Sequence, residues 1–292
     1  AVDLTEGGDG DGDGELQSLQ RPGDPPLRFH GYRRGQELGR GASGRVFLCH
    51  RKGCDRGFAV KAVDFRRMQL SPNVERQHTS LLREVEILKA LPPHPNIVQL
   101  VDAFEETEWY LLVLELVGGG DLFTVLTARE PPCLQEPEGA FVLKQMVDGL
   151  VFLHEQKVIH RDLKLENVLV ASERRARGLV FYNVKITDFG LSKSVREGLS
   201  EAQSLVGTHP YTAPEVLQGG VYDFSSDVWC LGVLLFVLLA GHFPFDRVEV
   251  DPSRLVEQQG EVDAIVDALE AGEDARAVVR GLLRLDPAAR SG

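Results

Sequence analysis

Cysteine is scarce in this chain, with four in 292 residues, at Cys49, Cys54, Cys133 and Cys230. None of them falls at metal-ligand spacing and they form no framework. A disulfide-stapled secreted scaffold and a thiolate metal site are both excluded, and a reducing, intracellular compartment, cytoplasmic or nuclear, is expected. Long apolar runs are lacking too. The longest, Val228 to Ala240, is 13 residues, too short for the roughly 20 needed to span a bilayer, so it reads as a buried core helix. There is no secretory signal and no initiating Met, and no membrane partner is expected. Nor is there a basic stripe. Lys and Arg number 32 against 44 Asp and Glu, a net charge of −12, which argues against a nucleic-acid partner. Half of that negative charge sits in residues 1–24, where seven acids face one base, Arg21. No internal repeat stands out.

What remains is a chain with 43% apolar residues, enough to bury a sizeable core. Residues 1–30 are rich in Gly, Asp and Pro and read as a disordered acidic tail. Within them Asp9-Gly10-Asp11-Gly12-Asp13-Gly14 matches the first half of a calcium loop. The twelfth position is Gln20, which lacks the bidentate carboxylate, so the segment reads as low-complexity sequence. Residues 33–113 read as strands plus one helix. Phe58 to Val63 is strand-like, Thr79 to Ala90 carries Leu81, Val85 and Leu88 on one helical stripe, and Tyr110 to Val117 suits a strand buried on both faces. Gly118-Gly119-Gly120 then breaks the pattern as a hinge. Beyond it the chain turns helical, with Leu143, Met146, Val147 and Leu150 at helical spacing and Ser225-Ser226-Asp227 as N-cap residues for the apolar run. The expected class is α+β: a β-rich small lobe before an α-rich large lobe, with a cleft at the joint.

Chemistry concentrates in His160-Arg161-Asp162-Leu163-Lys164-Leu165-Glu166-Asn167 and Asp188-Phe189-Gly190. These supply a proton acceptor, a cation and two oxygen donors suited to a hard divalent ion that prefers to share its ligands with phosphates. Phosphoryl transfer needs those parts. Upstream, Leu38-Gly39-Arg40-Gly41-Ala42-Ser43-Gly44-Arg45-Val46 is a glycine-rich loop whose backbone could approach phosphates closely. It is followed in order by Ala59-Val60-Lys61 and, after the His160–Asn167 segment and Asp188-Phe189-Gly190, by Ala213-Pro214-Glu215.

In that order and spacing the motifs resemble the protein kinases. The resemblance covers residues 33–292, with 33–117 as small lobe and hinge and 118–292 as large lobe. The resemblance implies an ATP- and Mg²⁺-dependent enzyme acting on protein substrates. Lys61 would contact the α- and β-phosphates. Of Glu84 and Glu86 on the following helix, motif alignment puts Glu84 in the position that holds this lysine. Leu38, Gly39, Gly41, Gly44 and Val46 would cover the nucleotide. Ala59, Val46 and Leu169 would sandwich the base, with Leu114 behind it. The Glu115 carbonyl and Val117 N–H would bond the adenine edge, and Asp121 would reach the ribose. Asp162 would accept or orient the substrate hydroxyl proton, Lys164 would neutralise the transferring phosphate, and Asn167 and Asp188 would hold the metal. The place of Lys164 resembles Ser/Thr-directed kinases. Asp227 would bond backbone N–H groups of the catalytic loop, and His160 and Phe189 would stack with Leu88 and Leu100 into an apolar spine.

Asp188 to Glu215 resembles an activation segment, with Thr208 set to contact Asp162 and Lys164. Arg161 and Lys193 are read as cations awaiting an anion, and Ser204, four residues before Thr208, as the site of an upstream activating kinase, with Ser200 as the next candidate. Glu166 and Asp121 resemble the acids with which basophilic kinases grip an Arg before the acceptor. Asp188 to Ser192 and Gly241 to Phe245 look most like the calcium/calmodulin-dependent group, including its checkpoint-like members. Residues 247–273 are acidic and weakly patterned. The end two residues beyond Arg290, whose family counterpart pairs with Glu215, implies a large lobe incomplete at its C-terminus. The competing function is a pseudokinase scaffold, although Lys61, Asp162, Asn167 and Asp188 are all retained.

Overall fold

The computed structural model describes residues 23–41, 44–194, 209–245 and 255–290. They divide into two compact units. One runs to Pro93 and resumes over Val98–Gly118; the other takes His94–Ile97 and the chain from Gly119.

The first unit is built on an antiparallel sheet of β1 (Arg28–Phe29), β2 (Tyr32–Gly41), β3 (Gly44–Arg51), β4 (Gly57–Asp64), β5 (Leu100–Glu105) and β6 (Trp109–Glu115), in the order β1-β2-β3-β4-β6-β5. Side chains alternate between faces along each strand. Phe47, Val60 and Val113 are cross-strand partners on one face. They form an apolar cluster with Phe58, Ala62 and Leu111, closed by Phe29 and Tyr32. The fold therefore begins inside the segment assigned above to a tail of residues 1–30. Phe29 stacks on Tyr32, and Tyr32 meets Phe58 edge to face, which removes those rings from water. The opposite face carries Val46, Lys61 and Leu112 in one cross-strand row, with Ala59 opposite Leu114.

Two helices follow β4, α1 (Phe65–Gln69) and α2 (Val74–Ala90). Asp64 caps α1, accepting from the N–H groups of Arg66 and Arg67. Helix α2 starts five residues before the apolar stripe suggests. Leu81, Val85 and Leu88 are buried as that stripe requires, and Glu84 lies buried among them.

The second unit is mainly helical. It contains α3 (Leu122–Thr127), α4 (Glu136–Glu155), β7 (Val158–Ile159), β8 (Val168–Ala176), β9 (Leu179–Ile186), β10 (Lys193–Ser194), α5 (Pro214–Leu217), α6 (Phe224–Ala240), α7 (Leu255–Asp267) and α8 (Glu273–Leu282). Helix α4 packs on β9 and α6, and α6 on α8. The stripe on α4 is rotated from the expected one. Val142, Met146, Leu150 and Leu153 are buried, whereas Val147 is 37% exposed.

Helix α6 is capped by Asp223, whose carboxylate accepts from the Ser225 N–H, and not by Ser225-Ser226-Asp227. Those three residues lie within the helix, and Asp227 is fully buried. Helix α7 corrects the reading of 247–273 as weakly patterned, since residues 255–267 are helical. Near the end of the chain Arg290 makes two parallel bonds to Glu215, both 2.7 Å, the bidentate geometry that makes such pairs strong. Its guanidinium also lies over the Trp229 ring at 5.1 Å.

The three glycines read as a hinge are less free than their composition suggests. Gly119 donates to the Val170 carbonyl at 2.9 Å, and Val170 donates to the Gly120 carbonyl at 2.9 Å. A Cβ on Gly119 would lie 2.4 Å from the Val170 oxygen. Close approach, not flexibility, requires glycine there.

Candidate active site

Each unit carries a cluster of the residues singled out above. In the sheet unit, β2 and β3 form the glycine-rich hairpin, with Gly39 opposite Val46 and Gly41 opposite Gly44. Gly44 has φ +148°, and a Cβ there would lie 2.6 Å from the Ala62 carbonyl oxygen. Gly39 and Gly41 differ, because a Cβ on either would meet nothing within 4 Å. Among the described residues, no neighbour requires glycine at those two positions. The open space over their backbone fits a phosphate chain approached by main-chain N–H groups.

Lys61, in the middle of β4, is 7% exposed, and its Nζ lies 2.6 Å from Glu84 Oε1. Glu86, the other candidate on α2, faces solvent. A buried ion pair adds little net stability, but removing one partner strands the other charge. The pair therefore reads as a device for aiming an ammonium group. Ala59 and Leu114 are cross-strand partners on the Lys61 face. Leu38 is 39% exposed. The Glu115 N–H donates to the Gln99 carbonyl at 3.0 Å, and the Glu115 carboxylate accepts the Gln99 N–H at 2.9 Å. Val117 follows the end of β6.

In the helical unit the catalytic loop lies between β7 and β8 with little regular structure, and buried polar contacts hold it. Asp227 is the hub. Its two carboxylate oxygens accept the N–H groups of His160 and Arg161, both at 2.9 Å, and Oδ2 also lies 3.0 Å from His154 Nε2. The role expected for Asp227 is thus met from inside α6. The Asp162 N–H points at His160 Nδ1 at 3.4 Å, and His160 Nε2 is 3.0 Å from the Thr187 carbonyl. These partners assign the proton to Nε2. His160 and Phe189 meet edge to face with centroids 5.3 Å apart. Arg161 and Asp188 both have positive φ, +69° and +62°. Such backbone in non-glycine residues costs on the order of 1–3 kcal/mol and persists where its surroundings over-determine it.

Within that frame Asp162 Oδ2 is 2.8 Å from Lys164 Nζ and accepts from Asn167 Nδ2 at 2.9 Å. Asn167 Nδ2 also donates to the Asp162 carbonyl at 2.7 Å. The amide nitrogen of Asn167 is thereby engaged, leaving Oδ1 as the atom suited to a hard cation. The Gly190 N–H reaches Asp188 Oδ1 at 3.3 Å. Among the described residues no group of three or more His, Cys, Asp or Glu could hold a metal. No described helix is long and apolar enough to cross a membrane.

Asp121 and Leu169 face each other in a β-bridge. Asp121 caps α3, with its carboxylate accepting from both the N–H (2.7 Å) and the hydroxyl (2.8 Å) of Thr124.

Other residues lie where sequence reasoning had not looked. Ser192 is buried, and its hydroxyl donates to the His160 carbonyl at 3.0 Å. The Tyr211 hydroxyl lies 3.5 Å from the Leu165 N–H, and burial pushes its acidity well below that of an ordinary phenol. Arg161, read as a cation awaiting an anion, has its guanidinium over the Tyr222 ring at 5.3 Å. Nothing in the local sequence pattern marks that ring as its neighbour. Ser200, Ser204, Thr208 and the Asp9–Gln20 segment lie outside the described residues.

The model of the protein kinase domain matches residues 32–292. The chain belongs to the protein kinase family. Within it, the sequence groups with serine/threonine kinases related to the calcium/calmodulin-dependent group. It is 35% identical to calcium-dependent protein kinase 7 of Arabidopsis thaliana over 268 residues, covering 89% of this chain and 46% of the relative. It is 34% identical to a probable myosin light chain kinase of Dictyostelium discoideum over 283 residues, covering 95% of this chain and 84% of that protein. Against calcium-dependent protein kinase 4 of Plasmodium falciparum it is 37% identical over 209 residues, covering 72% and 37%. The chain therefore spans less than half the length of both calcium-dependent relatives.

Proposed function

We propose that this chain transfers the γ-phosphoryl group of Mg-ATP to serine or threonine hydroxyls of protein substrates that carry Arg before the acceptor. The observation that carries the reading is the Asp162 carboxylate, held between Lys164 and Asn167 on a loop anchored by buried Asp227. In the proposed step the acceptor oxygen bonds to the γ-phosphorus while the bond to the β-phosphate oxygen breaks. Asp162 takes the hydroxyl proton, and Lys164 offsets the charge spread over the transferring group. Lys61, aimed by Glu84, would bind the α- and β-phosphates. When bound, Mg²⁺ at Asn167 and Asp188 would supply charge neutralisation across the phosphates. The open backbone at Gly39 and Gly41 and the oxygen donors of the loop support this assignment.

The basic preference rests on Glu166, which is exposed in the turn Leu165–Asn167, and on α3, which packs against that turn just after Asp121. With the Asp121 carboxylate engaged by Thr124, Glu166 is the freer acid for a substrate guanidinium. The same reading includes activation by an upstream kinase at Ser204, an intracellular location in cytoplasm or nucleus, and no nucleic-acid or membrane partner.

A degenerate peptide library incubated with the purified chain and Mg-ATP tests the reading. Incorporation into Ser/Thr peptides with Arg selected upstream is expected. Selection of acidic residues, or none, would defeat the substrate preference. Nucleotide binding without any transfer would support the pseudokinase alternative.

A further inference from the structure

A charged cluster on the first unit is not used by the chemistry above. Arg34 on β2 is 2% exposed, and its guanidinium lies over the Phe47 ring at 4.7 Å. Arg45 on β3 lies over the same ring, also at 4.7 Å. Two like charges over one ring require a counter-ion, and Asp24 supplies it. The Asp24 carboxylate, 5% exposed, is 2.5 Å from Arg45 Nη1 and 3.7 Å from Arg34 Nη2. Burial disfavours the Arg34 charge, which Asp24 offsets and Arg45 opposes. Exposed ion pairs contribute little, but a buried guanidinium that loses its carboxylate is strongly destabilised.

From Arg45 the cluster continues into the glycine hairpin. Arg45 Nη2 and Nε donate to Glu37 Oε2 at 2.5 and 3.1 Å, and Arg40 Nε donates to Glu37 Oε1 at 3.1 Å. Arg45 first, and Arg40 second, hold the Glu37 carboxyl down at about 2. Arg40 and Arg45 are cross-strand partners one residue from the Gly41–Gly44 pair. The chain Asp24–Arg45–Glu37–Arg40 thus laces both strands of the hairpin near its turn end. Among its members Asp24 alone comes from outside the hairpin.

We propose that Asp24 is a positioning residue that anchors the glycine-rich hairpin and thereby sets the affinity for nucleotide. Its effect on ATP rests on the kinase reading above, whereas its hold on the hairpin does not. The test uses the full 292-residue chain and the variant Asp24→Asn. In the nucleotide-free protein, amide hydrogen exchange across residues 38–46 should quicken at least tenfold, with α2 unchanged. The Kd and KM for Mg-ATP should rise at least fivefold, kcat at saturating nucleotide should stay within twofold, and Asp24→Glu should restore part of the loss. If Asp24→Asn does not fold, the double variant Asp24→Asn/Arg34→Met removes the stranded buried cation and is expected to give the same result. Parental exchange in a folded variant would overturn the proposal, as would faster exchange with unchanged nucleotide affinity. If the parent transfers no phosphate, the kinase reading fails by itself, and hairpin exchange with nucleotide affinity still decides the role of Asp24.

Discussion

The two units hold their reactive side chains by different physics. In the sheet unit, strand register places Val46, Lys61 and Leu112 in one row, and one buried pair with Glu84 completes the aim of the lysine. In the helical unit, the residues that would do the chemistry lie on a loop with little regular structure. Their positions depend on a buried carboxylate, Asp227, on the hydroxyl of Ser192, and on two non-glycine residues with positive φ. A ladder distributes its hold over many backbone bonds, whereas a hub concentrates it in a few atoms. Single substitutions should therefore damage the helical unit's cluster more than the sheet unit's cluster.

The largest effect is expected at the loop itself. Asp162→Asn removes the positioned proton acceptor and should lower kcat by ~10²–10⁴-fold while leaving ATP affinity within about twofold. Steady-state kinetics with calorimetry of nucleotide binding checks this, and equal turnover by variant and parent would remove Asp162 from the mechanism. Next comes the hub. Asp227→Ala strands the N–H groups of His160 and Arg161 and should cost about 3 kcal/mol or more, since each buried unsatisfied group costs roughly 1–3 kcal/mol. Denaturant unfolding measures it, and a loss below about 1 kcal/mol would show that the loop is held elsewhere.

The sheet unit should be milder and position-dependent. Gly44→Ala brings a Cβ against the Ala62 carbonyl in backbone that disfavours side chains, costing about 1–3 kcal/mol. Gly39→Ala meets nothing and should leave stability within about 0.5 kcal/mol, while weakening Mg-ATP binding through bulk over the open backbone. Paired thermal-shift titrations with and without Mg-ATP separate the two. Equal stability of both variants would undo the distinction between packed and open glycines.

Much of the site was legible because its chemistry is written in short, ordered motifs. Lys61, Asp162, Asn167 and Asp188 stand out by residue type and spacing. Glu84 was separable from Glu86 by motif alignment, and the structure gives the physical counterpart: Glu84 shares a buried stripe with Leu81, Val85 and Leu88, and Glu86 does not. The misreadings have a common cause, since local patterns do not report long-range partners. Asp24 looked like one more acid in a solvated tail because its partners lie at positions 34 and 45. The contact of Arg161 with the Tyr222 ring was not legible because the two residues are distant in sequence. Ser225-Ser226-Asp227 looked like a cap by local pattern although Asp223 is the cap, and the contact of Asp227 with a loop more than sixty residues away was expected only through the family resemblance. Residues 255–267 looked weakly patterned because helix α7 carries polar side chains along much of its length.

The most direct measurement is the initial rate of phosphate transfer from γ-labelled ATP to serine, threonine and tyrosine peptides, with and without Mg²⁺, alongside nucleotide binding to the same protein. Label on serine and threonine peptides only, abolished by chelation and by Asp162→Asn, is the predicted result. Nucleotide bound by a folded chain that labels no peptide would contradict it.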